Sequence, residues 1–531
     1  MEASTSPDAF APSVAAKAPE TVDGQGPIAR DRKPEELVEG NSERDEGYLR
    51  RKERSSEAEA FEEEAGNHIV VVVLEIGTSE IRIGFSGDKT PRHRLPAFLS
   101  RLVEAGPQPE DLHSPLSLAK TFVGEDAFTA ATRAAEEDGC AVGVVAAHPH
   151  HPWAVSRESY DNLFVVIDAA LERLLEERPQ GTEASAREKD DAVGESRDKA
   201  TSSLPTAEMP WALLAVVPVI CDQRLASCLL RWALETRREI FGAVKLIADA
   251  RMAAYHHLLL LPEDQRSAEK GLLVVDAGET AIRVVPVGGQ ALTPGTHALQ
   301  QTEVAGSLLT SLVLLHQEKR GEGTRGTRRG MTWREATQYK EQCCFVSLNP
   351  SVDLQLHRKY RQLQPPFVTA GGLVRQPSTD TFLFPEIFFT PQLLRNANLS
   401  PIVNSTSQAS LTQVILDAFG KGTVCERALW LSRICLVGGT AKLANFATRL
   451  QDELRATWQS SDPSAYTRRK EDVPIRLLVS DDPQLAAFCG ASAFGRVAVL
   501  DEEAWITREE YEDSAAIPAL GRRALRHANL G

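Results

Sequence analysis

Short apolar runs alternate along the chain with segments in which apolar residues recur every three or four positions. The run at 71–74 is continuous, which is typical of a buried strand. In 159–177 the apolar positions follow the spacing of one helical face: Leu163, Val166, Ile167, Ala170, Leu171 and Leu174. This alternation of strand and helix patterns predicts a mixed α/β fold.

Two polar stretches interrupt the pattern. Residues 1–66 contain few aliphatic side chains, and 20 of the 34 residues in 31–64 are charged. Such a segment cannot bury enough apolar surface to offset its ordering entropy, so we expect a disordered acidic tail. Residues 181–209 have the same character between two apolar segments, which predicts a disordered insertion in a surface loop.

One sequence pattern occurs twice. VVVLEIGTSEIRIGF covers residues 71–85, and LLVVDAGETAIRVVPV covers residues 272–287. Each copy has an apolar strand, a carboxylate, a glycine-containing turn and a second strand with Ile-Arg. The shared motif begins at Glu75 and again at Asp276, about one domain length apart. The repeat predicts two related lobes, each opening with a β-hairpin.

The composition of the two turns is typical of phosphate binding. Glycine lets backbone amides approach oxyanions closely, hydroxyl groups add donors, and a carboxylate at a strand end can hold a hydrated divalent cation. Either segment alone is better explained as a simple hairpin with a polar turn. Because the two copies match each other, we favour two facing hairpins that hold one nucleotide between them.

The two hairpins resemble the phosphate loops of actin and its relatives, and further motifs follow in the order of that family. Tyr339-Lys340-Glu341 resembles the helix that lines the adenosine pocket, and 436–440 (LVGGT) resembles the glycine turn under the nucleoside. Residues 505–511 resemble the carboxy-terminal signature. The matches run from about residue 68 to residue 520, so the chain resembles a divergent actin-related protein.

The resemblance implies an α/β, actin-like ATPase fold in which two related lobes of the ribonuclease H-like type, each with a five-stranded sheet, close around an adenine nucleotide. The implied parts are a first lobe at 67–270 with a small outer subdomain near 89–130, a second lobe at 271–500, and a carboxy-terminal segment at 501–531 that returns to the first lobe. ATP or ADP with Mg²⁺ would contact Gly77, Thr78, Ser79, Arg82, Asp276, Gly278, Glu279, Thr280, Lys340, Glu341, Gly438, Gly439 and Thr440. Glu75 and Asp276 would hold the Mg²⁺ ion through water.

Several positions depart from the family pattern. Ser79 and Thr280 replace glycines, so side chains extend where the backbone approaches phosphate, and we expect weaker nucleotide binding. Asp249 and Arg283 stand where the family has the glutamine and histidine that orient the attacking water. An aspartate repels phosphate, and an arginine cannot act as a base near neutral pH. We therefore expect no efficient ATPase and assign no catalytic residue.

The histidine-rich run at 148–151 (HPHH) is a candidate metal site only by composition. Its spacing suits neither a helix face nor a zinc site. We expect a solvent-exposed loop there instead.

The charge balance disfavours some classes of partner. Lysine and arginine number 59 against 74 acidic residues, a net charge of −15, which argues against direct binding of nucleic acid or anionic membranes.

The cysteines and the apolar runs bear on the compartment of the protein. The eight cysteines include no C-x-x-C pair, as is typical of a reducing compartment, and no apolar run is long enough to span a bilayer. We expect a cytoplasmic, cytoskeletal protein, with the nucleus as the alternative.

Two hypotheses about function follow from the resemblance. In the first, the chain is a structural subunit of a protein assembly, such as dynactin or a chromatin-remodelling or Arp2/3-type complex, and binds ATP weakly. In the second, it is an active actin-like ATPase that forms filaments or cycles conformation. Residues 102–119 carry three prolines where conventional actin has the loop that docks to its neighbour, so self-polymerisation is not expected. The departures in the cleft also favour the first hypothesis.

Overall fold

The computed structural model of the chain describes residues 69–102, 120–136, 144–154, 156–177, 210–266, 271–289, 292–320, 331–360, 364–369, 372, 374–393, 409–460, 475–498, 505–513 and 517–527. The predicted acidic tail, the predicted insertion at 181–209 and residues 103–119 lie outside these ranges. From Ile69 onward the described residues belong to one compact unit.

The apolar runs form strands and the periodic segments form helices. The strands are β1 (Val71–Ile76), β2 (Glu80–Phe85), β3 (His93–Pro96), β4 (Phe98–Leu102), β5 (Lys120–Val123), β6 (Val144–Ala146), β7 (Trp211–Val217), β8 (Phe241–Ala248), β9 (Leu272–Ala277), β10 (Ile282–Gly288), β11 (Thr293–Pro294), β12 (Gln300–Thr302), β13 (Phe367–Val368), β14 (Val374–Arg375), β15 (Ile434–Val437), β16 (Leu477–Val479) and β17 (Ile506–Thr507). The helices are α1 (Glu125–Glu136), α2 (Asp161–Glu176), α3 (Gln223–Arg231), α4 (Asp249–Leu260), α5 (Gly306–Arg320), α6 (Trp333–Cys343), α7 (Pro350–Lys359), α8 (Asp380–Leu383), α9 (Leu411–Gly420), α10 (Val424–Leu431), α11 (Phe446–Ser460), α12 (Ala486–Ala498), α13 (Arg508–Asp513) and α14 (Ile517–His527).

The predicted helix at 159–177 is confirmed as α2. Each apolar residue that the pattern placed on its inner face is buried. Among the helices that the structure describes, not one has both the length and the apolar character needed to cross a lipid bilayer.

A six-stranded sheet with the order β17-β8-β7-β1-β2-β3 forms the centre of the first lobe. Strands β1, β7 and β8 are parallel, and β2 and β3 continue the sheet in antiparallel pairing. Both faces of β1 are covered, because Val72 and Leu74 pack in the cluster that contains α2 while Val71 and Val73 pack with Phe488 of α12. This burial explains the continuous apolar run at the start of the repeat.

The second sheet repeats the arrangement of the first. Its order is β11-β10-β9-β15-β16, and β12 also pairs with β10. Strands β9, β15 and β16 are parallel, and β10 pairs antiparallel with β9 as β2 does with β1. The duplicated topology agrees with the actin-like α/β class. Each sheet has six strands rather than the expected five, because β17 extends the first sheet and both β11 and β12 pair with β10 in the second.

The segment after the second sheet packs on the first lobe. Ile506 of β17 pairs with Val244 of β8, and Trp505 is buried in the core of the first lobe. The Tyr511 hydroxyl donates to Oε1 of Glu235 at 2.6 Å. These contacts place the carboxy-terminal segment against the first sheet, while the domain boundaries given above remain predictions.

Helices α4 and α12 approach each other closely beneath the first sheet. Gly490 of α12 lies against the backbone of α4, and a Cβ atom on it would be 1.9 Å from the carbonyl oxygen of Met252. Met252 and Phe488 are fully buried in one cluster with β1, so neither helix is free to move aside. Only glycine allows this approach.

Candidate functional site

Two β-hairpin turns meet at a cleft between the two sheets. The amides of Gly77 and Gly278 each donate to the carbonyl three residues later, at 3.1 Å in both turns. A Cβ atom on Gly77 would lie 2.6 Å from a backbone oxygen of its own turn, so the turn requires glycine. The hydroxyls of Thr280 and Thr78 are 3.3 Å apart across the cleft. The two hairpins therefore face each other, as their sequence similarity predicts.

A cavity of about 640 Å³ opens beside these turns. This volume lies within the range of small-molecule and cofactor sites, about 300–1,000 Å³. The predicted site residues that line it are Glu75, Gly77, Thr78, Ser79, Arg82, Asp249, Asp276, Gly278, Glu279, Thr280, Arg283, Lys340, Glu341, Gly438, Gly439 and Thr440. The structure thus brings every predicted site residue to one cavity, and their binding roles remain predictions.

Each hairpin places an arginine opposite a carboxylate. Glu75 of β1 is paired directly with Arg82 of β2, and Asp276 of β9 is paired with Arg283 of β10. Directly opposed side chains of antiparallel strands lie on the same face of the sheet, so each pair meets. Arg82 donates to Glu75 through Nη1 and to Glu80 through Nε, the latter at 2.8 Å. Nη1 of Arg283 lies 3.7 Å from Oδ2 of Asp276.

The charges of these pairs depend on one another. Burial alone would lower the pKa of Arg82, but Glu75 and Glu80 raise it above its usual value, so Arg82 stays a cation. Burial raises the pKa of Asp276, and Arg283 and Arg82 partly offset that rise. Removing one member of such a buried pair leaves an uncompensated charge.

Asp249 begins helix α4 and lies at the side of the cleft. Its Oδ1 accepts from the amide of Ala250 at 2.6 Å and from the amide of Val219 at 3.0 Å. Burial and the nearby Asp276 raise the pKa of Asp249 to about 7, although these two amides and Arg283 favour the charged form. Both hydrogen bonds fall on Oδ1, so the backbone fixes the orientation of this carboxylate at the side of the cleft.

Lys340 of α6 forms bonds within the second lobe. Its Nζ donates to Oε2 of Glu279 at 2.9 Å and to the carbonyl oxygen of Gly306 at 3.2 Å. On the other side of the second hairpin, the Thr440 hydroxyl donates to the carbonyl oxygen of Gly278 at 2.8 Å. These hydrogen bonds connect Lys340 and Thr440, which are predicted to bind the nucleoside, to the second hairpin and to the start of α5.

The histidine run at 148–151 is not the exposed loop that its sequence suggests. His148 and His151 are each only 1% exposed. The His151 ring packs edge-on to Phe98 at 5.2 Å and to Trp333 at 5.4 Å between ring centroids. Burial lowers the pKa of His148 to about 3 and that of His151 to about 4, so both are neutral at physiological pH. The prediction was wrong for these two histidines because the outer sheet and α6 enclose them, whereas His150 is exposed as predicted.

The outer sheet β5-β4-β6 contacts the second lobe at the edge of the cavity. Trp153, which follows β6, packs against Trp333 of α6 with 4.8 Å between ring centroids and the ring planes tilted by 47°. Arg334 of the same helix pairs with Glu125 of α1. Sequence reasoning missed these residues. The available signal was a tryptophan directly after the capping residue Thr332, at the first position of the helix.

We expect the two tryptophans to be energetically coupled. Alanine substitutions at Trp153 and Trp333, made singly and together, should give a coupling free energy of about 0.5–1.5 kcal/mol in urea unfolding. The matched control combines Trp153→Ala with Trp458→Ala, because Trp458 packs against Phe419 inside the second lobe. Additive effects in the first cycle would show that the aromatic contact does not hold the outer sheet to α6.

Comparison with known proteins adds sequence evidence to this geometry. The family described as Actin matches residues 264–518. Actin-related protein 2 of Schizosaccharomyces pombe is 25% identical over 260 residues, which cover 47% of this chain and 61% of that protein. Actin-related protein 2 of Saccharomyces cerevisiae is 24% identical over 281 residues, 52% of this chain and 64% of that protein.

A further relative carries a different name. Actin-like protein ARP6 of Yarrowia lipolytica is 28% identical over 268 residues, which cover 45% of this chain and 60% of that protein. The chain therefore spans about three fifths of the length of these curated relatives.

Proposed function

We infer from the match of residues 264–518 to the Actin family that this chain is a member of the actin and actin-related protein family. From that premise we propose that it is a non-filamentous structural subunit of a multiprotein assembly. In this proposal the cleft takes an adenine nucleotide weakly and hydrolyses it slowly. The observation that carries the proposal is the pairing of Arg283 with Asp276 beside the backbone-bound Asp249.

The argument concerns the water that attacks the terminal phosphate. In-line hydrolysis needs a group that orients this water and accepts its proton. The guanidinium of Arg283 has no lone pair for that purpose. Asp249 already accepts two amide hydrogen bonds. An ionised Asp249 beside the phosphate oxygens adds like-charge repulsion, and Arg283 cannot take the proton of the water. We therefore expect these two positions to support only slow hydrolysis.

The Mg²⁺ ion implied by the family resemblance does not fit the residues present. Mg²⁺ is usually held through its waters by carboxylates and phosphates. Here the carboxylates of Glu75 and Asp276 each have an arginine partner. A Mg²⁺ ion between Glu75 and Asp276 would lie beside the guanidinium groups of Arg82 and Arg283. Positive charges that are this close repel each other strongly in a medium of low dielectric constant.

The proposal predicts slow phosphate release and no filaments. With ATP and Mg²⁺, we expect hydrolysis slower than that of conventional actin by a factor of about 100 or more, the usual contribution of a positioned base. Phosphate release and sedimentation after raising salt would be measured on the full chain, with conventional actin as the control. Rapid release together with sedimenting polymer would instead establish the alternative, an active filament-forming ATPase.

The identity of the assembly is tested by affinity purification of the tagged chain from its own cells. We expect a fixed set of other subunits to co-purify, as in a cytoplasmic assembly such as dynactin or an Arp2/3-type complex, or in a nuclear chromatin-remodelling complex. Recovery of the chain alone, or only as a polymer of itself, would contradict a role as a structural subunit.

A further inference from the structure

We propose that the cleft binds a free nucleoside polyphosphate without a divalent cation, and that Arg82 and Arg283 take the place of that cation. The inference rests on the proposed function because it concerns the same cleft, and it names the form in which the ligand binds. It is argued from charge, from unsatisfied donors and from the geometry of the two hairpins.

The first step is a balance of charge. Two carboxylates, Glu75 and Asp276, end the first strands of the two hairpins. Arg82 and Arg283 lie directly opposite them and together supply two positive charges, as many as one Mg²⁺ ion. Arg82 also bonds Glu80, but Arg94 of the neighbouring strand donates to both oxygens of Glu80 and supplies the third positive charge. The carboxylates are thus neutralised without a metal, and the ligand phosphates meet guanidinium groups instead of a hydrated ion.

The second step concerns donors that have no partner in the protein. Nε of Arg283 is buried and forms no hydrogen bond with the part of the chain that the structure describes. Its Nη1 is 3.7 Å from Asp276, which is an ion pair but too long for a hydrogen bond. A guanidinium carries five N–H donors in a planar fork that matches phosphate oxygens. Arg283 therefore has donors to offer a phosphate.

The third step is the position of the remaining donors. Thr78 and Thr280 meet at the tips of the hairpins, and Ser79 lines the same cavity. Their hydroxyls lie in the cavity that Arg82 and Arg283 also line. An oxyanion there would be approached from both lobes, by hydroxyls at the tips and by guanidinium groups along the strands.

The effect of Mg²⁺ on such a site has a definite sign. In solution Mg²⁺ binds the phosphates and removes the charge that the arginines recognise. A site built around a metal gains affinity when Mg²⁺ is added, whereas a site built around two arginines loses it. The sign of the Mg²⁺ effect therefore separates the two kinds of site without any measurement of hydrolysis.

The experiment is isothermal titration of the full chain with ADP and with ATP, in excess EDTA and in excess Mg²⁺. We expect binding in EDTA that is several-fold tighter than in Mg²⁺. Arg283→Gln should weaken binding in EDTA about tenfold or more, as expected for the loss of charge-assisted hydrogen bonds. Arg92→Gln is the matched control, because Arg92 pairs with Asp88 and does not line the cavity.

A second variant shows whether a loss of binding comes from the loss of the arginine or from unfolding of the protein. Arg283→His restores the family residue, and its thermal melt is recorded beside that of the parent chain. A folded variant that binds more tightly in Mg²⁺ than in EDTA would support the exchange of arginine for metal.

Two results would overturn the inference. One is parent-chain affinity at least tenfold tighter with Mg²⁺, and the other is no heat of binding under either condition. Both leave the role as a structural subunit standing, because that role fails only on rapid hydrolysis with polymer or on recovery without partners. The absence of any binding would remove the weak nucleotide binding from the proposed function but not the subunit role.

Discussion

Replacing Gly490 by alanine is expected to lower the free energy of unfolding by about 3 kcal/mol or more, at the upper end of overpacking effects. The added Cβ atom would lie 1.9 Å from the carbonyl oxygen of Met252, and the obstacle is backbone rather than a flexible side chain. Separating α4 from α12 would also open the cluster that contains Phe488 beneath β1. Neither adjustment is small.

The measurement is the urea midpoint of the variant, with the slope of the transition as a check on two-state unfolding. The matched control is Gly420→Ala in α9, where an added Cβ atom would meet nothing within 4 Å. There we expect no loss of stability, and at most a gain of up to about 1 kcal/mol from helix propensity. Equal effects at the two glycines would show that the helices tolerate a wider separation.

Replacing Asp249 by asparagine is expected to stabilise the protein above pH 7 by up to about 4 kcal/mol, because the rise in the pKa of this carboxyl from 3.8 to about 7 makes its ionisation in the folded state that much less favourable. Burial and Asp276 raise the pKa of this carboxyl from 3.8 to about 7 in the folded state. Between those values the folded chain holds a proton that the unfolded chain has released, so stability falls as pH rises. Above pH 7 the penalty is constant.

Asparagine keeps an oxygen that can accept from Val219 and Ala250, so the substitution tests charge rather than hydrogen bonding. The free energy of unfolding of both proteins would be measured from pH 4 to pH 8. We expect the difference to grow up to pH 7 and then to level off. Asp417→Asn, at an exposed position, is the control and should change stability by less than about 0.5 kcal/mol. A gain that is the same at every pH would contradict the buried-charge explanation.

The hairpins could be predicted from sequence because their determinants are local. A glycine turn between apolar runs fixes the strand pairing, and the duplication identifies the two lobes. The arginine–carboxylate pairs follow from the same information, since Glu75 and Arg82, like Asp276 and Arg283, are seven residues apart around one turn. The sequence motif contained this pairing, although phosphate binding alone was inferred for Arg82.

The contacts at the edge of the cavity could not be predicted in this way. Trp153 and Trp333 are distant in sequence, and the packing of their rings depends on how the outer sheet is oriented over α6. The burial of His148 and His151 depends on the same packing, and the local spacing of the histidines therefore predicted exposure where the structure has burial. Long-range contacts of this kind carry no periodic signal.

The position of β17 and α12 in the first lobe has a consequence for synthesis of the protein on the ribosome. The face of the first sheet that includes Val71 and Val73 is covered by Phe488 and Trp505, which are translated only after the whole second sheet. A nascent chain therefore cannot complete its first lobe before about residue 505 has emerged. Until then an apolar sheet face stays exposed, and exposed apolar surface of this kind makes a partly folded chain prone to aggregate.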